Sequence, residues 1–211
     1  MKPWLRKGAI YLATLLSSAG LNIIAPFYSE AAERQGIHPW LIGVIYSVCP
    51  VAAFICSWFL PKYLERIGRT TVLCSGLIII GLSNITLVFL PDSTFKLAIL
   101  LSFISRITEG LGSACCMVTC NTTLTSDYPE DISRIVATIE IMSGIGLSAG
   151  PAIGSVIYKY SGFKMTCLSI GLAMLIYAPI LLLIIGRSRK YQKTSEIISI
   201  TTVLKKPVHP I

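Results

Sequence analysis

Six mostly apolar stretches dominate this chain, each long enough to cross a bilayer as a helix. They run Gly8–Ser29, Trp40–Leu60, Thr70–Leu90, Leu97–Cys120, Ile135–Tyr158 and Met165–Gly186. A hydrocarbon core of roughly 30 Å needs about 20 residues at helical rise. Backbone groups find no water in lipid, so a spanning segment must satisfy its own hydrogen bonds, as a helix does. A β-barrel would show segments of about ten residues alternating in polarity, and these stretches do not. The expected fold class is an all-α membrane protein with six transmembrane helices. Short connections (Glu30–Pro39 and Pro91–Lys96 on one side, Pro61–Arg69 and Asn121–Arg134 on the other) make successive helices antiparallel neighbours in one bundle.

A net charge of +8 would suit a nucleic-acid partner, but its distribution points to a lipid bilayer instead. With the N-terminus in the cytosol, Lys2, Arg6, Lys7, Lys62, Arg66, Arg69 and Arg134 lie inside, joined by Arg187, Arg189, Lys190, Lys193, Lys205 and Lys206. Arg34, Lys96, Lys159 and Lys164 lie outside. This positive-inside bias predicts that both termini are cytosolic. It does not decide between a plasma and a vesicular membrane. The first stretch has a basic start, but it is too long for a secretory signal and lacks a small-residue cleavage site. All seven cysteines fall within the apolar stretches and show no metal spacing, so they read as packing thiols. His38 and His209 are the only histidines, and no HExxH or nucleophile motif appears. The expectation is a non-enzyme without metal or cofactor.

The chemistry lies in charged residues where lipid should be. A charge near the bilayer centre costs about 2.5–3.5 kcal/mol on insertion scales, so such residues usually face protein or a wet cavity. Arg106 sits about 13 Å from the outer end of its helix at helical rise. Glu109 follows three residues later on the same face, where the two can pair. They are either a structural ion pair or a working one. Glu140 lies about 8 Å from its cytosolic end, within reach of snorkelling. A carboxyl group kept from water disfavours its charge, so Glu109 or Glu140 could hold a proton in one state and meet an amine in another. Asn22 could hydrogen-bond a solute or join two helices. In the fifth stretch Gly146, Gly150 and Gly154 recur every four residues as a flat groove for a close neighbour. Pro151 adds a bend.

Three motifs resemble the major facilitator superfamily. Pro61-Lys-Tyr-Leu-Glu65-Arg66-Ile-Gly68-Arg69 is similar to its motif between the second and third helices, with Glu65, Arg66, Gly68 and Arg69 on the acidic, basic, glycine and basic positions. Pro61 and Thr70 depart from the pattern. Arg106 through Gly110 to Gly112 resembles its fourth-helix pattern. Gly146-Leu-Ser-Ala-Gly150-Pro151-Ala-Ile-Gly154 resembles the fifth-helix motif of its proton-coupled antiporters. With Ile139-Glu140 to Gly146 and Ile24-Ala25-Pro26-Phe27-Tyr28, the chain looks like the vesicular amine and polyamine group.

That resemblance implies half of a twelve-helix bundle, built as two inverted three-helix repeats. Residues 1–186 would form the six-helix half, and 187–211 a basic cytosolic segment cut short before a seventh helix. The missing C-terminal half, or a second copy, would complete it. It also implies exchange of protons for a small organic, cationic amine or polyamine by alternating access. Arg106, Glu109, Glu140 and Asn22 would serve coupling, Glu65 to Arg69 a cytosolic gate, and Gly146, Gly150, Pro151 and Gly154 a pliable helix. The alternative is a non-transporting membrane scaffold.

Overall fold

The computed structural model describes residues 3–186, and the basic segment expected at 187–211 lies outside the described residues. The first apolar stretch is two helices rather than one, α1 (Pro3–Asn22) and α2 (Ala25–Arg34). Pro26 explains the break. It has no N–H for the carbonyl of Asn22, and its ring suits the first turn of a new helix. Helix α3 (Pro39–Ile67) then runs through the segment expected as a loop, and only Gly68 separates it from α4 (Arg69–Thr86). Gly68 has φ +99°, a conformation that side chains resist, and its N–H still closes α3 on the Leu64 carbonyl at 3.0 Å. A 3-10 turn, Leu87–Asp92, ends α4; α5 (Phe95–Asp127) and a second short turn, Pro129–Asp131, lead into α6 (Ile132–Ile185). The connection expected at Asn121–Arg134 is therefore mostly helix as well. At 29 and 33 residues, α3 and α5 exceed the roughly 20 residues a bilayer needs, because continuing the spiral still satisfies each backbone group.

Among the described residues, five helices are long and apolar enough to cross a membrane, against the six expected. The last two expected stretches both fall in α6, whose 54 residues would extend about 80 Å if straight. It is not straight. Gly162 leaves helical geometry at φ +74°, ψ −179°. Before it, Gly146, Gly150 and Gly154 meet Leu15, Ala19 and Ile23 in rising order, so this part runs parallel to α1. After it, Met174 meets Gly20, and Tyr177 donates its hydroxyl to the Ala9 carbonyl at 2.8 Å, so this part runs antiparallel. The chain reverses at one residue.

Backbone contact through small residues holds the bundle, as expected where lipid tails give helices no hydrophobic push. A methyl on Gly150 would lie 2.8 Å from the Ala19 carbonyl oxygen. Gly76 and Gly112 bring α4 against α5, and Gly81 and Gly171 bring α4 against the second part of α6. Buried Leu73, Leu77 and Ile80 make α4 the centre of the core. Across α4 and α5, the Ser83 hydroxyl donates to the Ser105 carbonyl at 2.8 Å and Ser105 returns a bond to the Ser83 carbonyl at 3.2 Å. Such bonds contribute about 0.6 kcal/mol each in membrane proteins. α3 is the least covered helix, with Phe54 69% and Trp58 75% exposed.

Candidate functional site

Arg106 and Glu109 sit midway along α5, and both are buried. Their spacing, slightly less than one turn, puts them on one face, and Arg106 Nη1 donates to Glu109 Oε2 at 2.5 Å. Removing either would leave the other as an uncompensated buried charge, which typically costs about 3–5 kcal/mol. The guanidinium also lies over two rings. Its central carbon is 4.7 Å from the Tyr46 centroid and 5.2 Å from that of Tyr28. The rings meet edge to face, 5.4 Å apart. A cation over desolvated aromatic faces gains up to about 2 kcal/mol. Tyr46 is fixed in turn, because its hydroxyl donates to the Ala25 carbonyl at 2.8 Å, just past the break between α1 and α2.

Gly110 brings α3 close, since a methyl there would strike the Cys49 carbonyl and stand 3.0 Å from the Ala52 Cβ. Between α1, α2, α3 and α5 lies a cavity of about 350 Å³, with Asn22, Ala25, Tyr46, Pro50, Arg106 and Ser113 on its walls. The chemistry of the wall is uneven. Arg106 supplies charge, Tyr46 an aromatic face, and Asn22 an amide whose nitrogen already donates to the Ser18 carbonyl at 3.3 Å. Arg106 and Asn22, both singled out in the sequence, thus come together. Glu109 reaches the cavity through Arg106.

Glu140 is elsewhere, exposed on the first part of α6 beside Ile141 and Gly144. Where α3 turns into α4, Glu65 and Arg66 are exposed, Gly68 makes the turn, and Arg69 donates to the Thr122 carbonyl of α5 at 3.4 Å. Arg6 pairs with Asp127 at 3.0 Å, and Lys7 lies 4.4 Å from the Tyr128 ring centre, closing α1 onto the end of α5. Gly146, Gly150 and Gly154 pack on α1, with Pro151 half-buried beside them. At the opposite end of the bundle, Phe27 stacks on Tyr158 at 4.3 Å, and the Tyr158 hydroxyl donates to Glu30 at 3.1 Å. Sequence reasoning missed Tyr46, although a phenol in an apolar stretch signals a hydroxyl needing a partner. Among the described residues, no cluster of His, Cys, Asp and Glu could hold a metal.

Comparison with known proteins agrees with this architecture. The mouse MFS-type transporter SLC18B1 is 26% identical over 184 residues, covering 81% of this chain and 39% of the relative. The rat synaptic vesicular amine transporter is 26% identical over 203 residues, covering 95% of this chain and 38% of the relative. A homolog of the multi-drug resistance efflux pump PmrA from Lactococcus lactis is 26% identical over 138 residues, covering 65% and 33%. The chain thus spans about two fifths of the length of the first two. These relatives are transporters and not enzymes, and the apolar helices make this an integral, multi-pass membrane protein. The sequence model of the Major Facilitator Superfamily matches residues 10–208, and the chain belongs to that family.

Proposed function

We propose that this chain is the N-terminal six-helix half of a secondary transporter that exchanges protons for a small organic amine. The observation that carries the reading is the buried Arg106–Glu109 pair, with Arg106 on the wall of a cavity beside a broken helix. Charges kept in a membrane helix at such expense mark solute and proton pathways. Broken helices are where transporters of this kind place their sites. Counted as two crossings on either side of Gly162, α6 would bring the half to six, and these would form two inverted groups of three. The exposed faces of α3 and α6 would meet a companion half, whether continuous with this chain, separate from it, or a second copy. Alternating access would then rock the two halves about the cavity. The groove of Gly146, Gly150 and Gly154 would permit the motion, while Glu65, Arg66, Gly68 and Arg69 act at the cytosolic gate. Glu140, on the uncovered face, would serve coupling only from the wall shared with the companion half.

The amine comes from the relatives, one of which is named for amine transport. The test is uptake of labelled spermidine into proteoliposomes holding the chain and its companion half, with and without a proton gradient. Gradient-driven uptake that disappears in Arg106→Ala and Glu109→Gln, with insertion intact, is the expected result. Uptake that ignores the gradient, or that survives both substitutions, refutes the proposal.

A further inference from the structure

The guanidinium of Arg106 is only partly used. Nη1 serves Glu109. Nε and Nη2 are buried and receive no acceptor from the protein. These two nitrogens share one edge of the guanidinium, where parallel N–H bonds make the fork that fits a carboxylate bidentately. The rings of Tyr28 and Tyr46 lie under the guanidinium within stacking reach, so they accept its charge but offer no in-plane oxygen to that edge. A buried donor left unmet typically costs about 1–3 kcal/mol. Arg106 lies on the cavity wall, so a solute is placed to supply the missing oxygen.

Another part of the wall has the opposite character. Leu21 and Asn22, at the carbonyl end of α1, line the same cavity. The last carbonyls of a helix lack intrahelical donors and carry a partial negative charge, and Pro26 withholds the donor that a continuous helix would give Asn22. The Asn22 amide, with its nitrogen turned to Ser18, keeps its oxygen as an acceptor.

We propose that the cavity is bipolar and takes a small solute carrying both an ammonium and a carboxylate, the carboxylate on the Nε–Nη2 edge of Arg106 and the ammonium at Asn22 and the end of α1. This rests on the transport reading above and ranks its solutes: an amine that is also an acid is held more tightly than a polyamine such as spermidine, which the cavity still admits.

The test compares four probes of one length, namely 4-aminobutanoate, butylamine, butanoate and butane-1,4-diamine. Binding to the full chain in lipid nanodiscs is measured by isothermal titration. The amino acid should bind at least tenfold more tightly than either single-charge probe or the diamine. Arg106→Lys, which keeps the charge but loses the fork, should weaken 4-aminobutanoate and butanoate about tenfold and leave butylamine unchanged. Asn22→Leu should weaken the two ammonium-bearing probes and spare butanoate. A diamine that binds as well as the amino acid overturns the proposal, as does equal binding of all four, no binding, or substitutions that do not sort the probes by charge. Gradient-driven flux of the diamine alongside such a failure would leave the transport reading standing. Absence of gradient-driven flux for every probe would remove that reading too.

Discussion

Replacing Gly150 by alanine adds one methyl carbon, and the structure says where it would go. It would lie 2.8 Å from the Ala19 carbonyl oxygen, 3.2 Å from the Ala19 Cα and 3.4 Å from the Ala19 carbonyl carbon. All three are backbone atoms, so no side chain can swing aside and α1 itself must retreat. Gly144 offers the control on the same helix, since a methyl there meets nothing within 4 Å. Both substitutions gain the same helix propensity, up to about 1 kcal/mol, which cancels in the comparison. What remains is the overpacking at Gly150, typically about 1–3 kcal/mol. Gly150→Ala should therefore be less stable than Gly144→Ala by that amount, and Gly144→Ala no less stable than the parent. Denaturation in mixed micelles, followed by far-ultraviolet circular dichroism, reads both. Equal stabilities would refute the claim that this face grips α1 through bare backbone.

Glu109→Leu should destabilise by about 3–5 kcal/mol by stranding the Arg106 charge, and the double substitution with Arg106→Met should recover most of that loss in the same denaturation assay. Tyr46→Phe keeps the ring over Arg106 but loses the bond to the Ala25 carbonyl, so a loss of about 0.5–1.5 kcal/mol is expected; Tyr46→Leu should lose more. Gly68→Ala, forced to hold φ +99°, should lower the denaturation midpoint by the equivalent of about 1–3 kcal/mol. Cys49 lines the cavity, whereas Cys74, Cys116 and Cys120 are buried in the core. A small, water-soluble thiol reagent should therefore modify Cys49 well before those three, as peptide mass mapping would show.

The apolar stretches announced the helices because length and composition alone decide what can cross lipid, and the three-residue spacing of Arg106 and Glu109 announced their contact. Less local features were hidden. Pro26 accounts for the break at Ile23–Ile24, but that Tyr46 reaches the Ala25 carbonyl from another helix had no local signal. The face on which Glu140 lies could not be read either, because its helix is apolar almost all round and periodicity gives no inward side. Gly162 sits between Lys159 and Lys164 in a segment that composition marked as a loop. Helical geometry persists up to it from both sides, and that had no sequence signal.

The turn at Gly162 bears on how the protein is made. The two apolar parts of α6 are joined by six residues that are helical except at Gly162, which leaves no long tether between them. The first and second parts of α6 are therefore expected to enter the lipid together as a hairpin, with Lys159 and Lys164 beside its tip. Lys164 pairs with Asp92 at 2.5 Å on the turn that follows α4, which ties the tip of the hairpin to its neighbour.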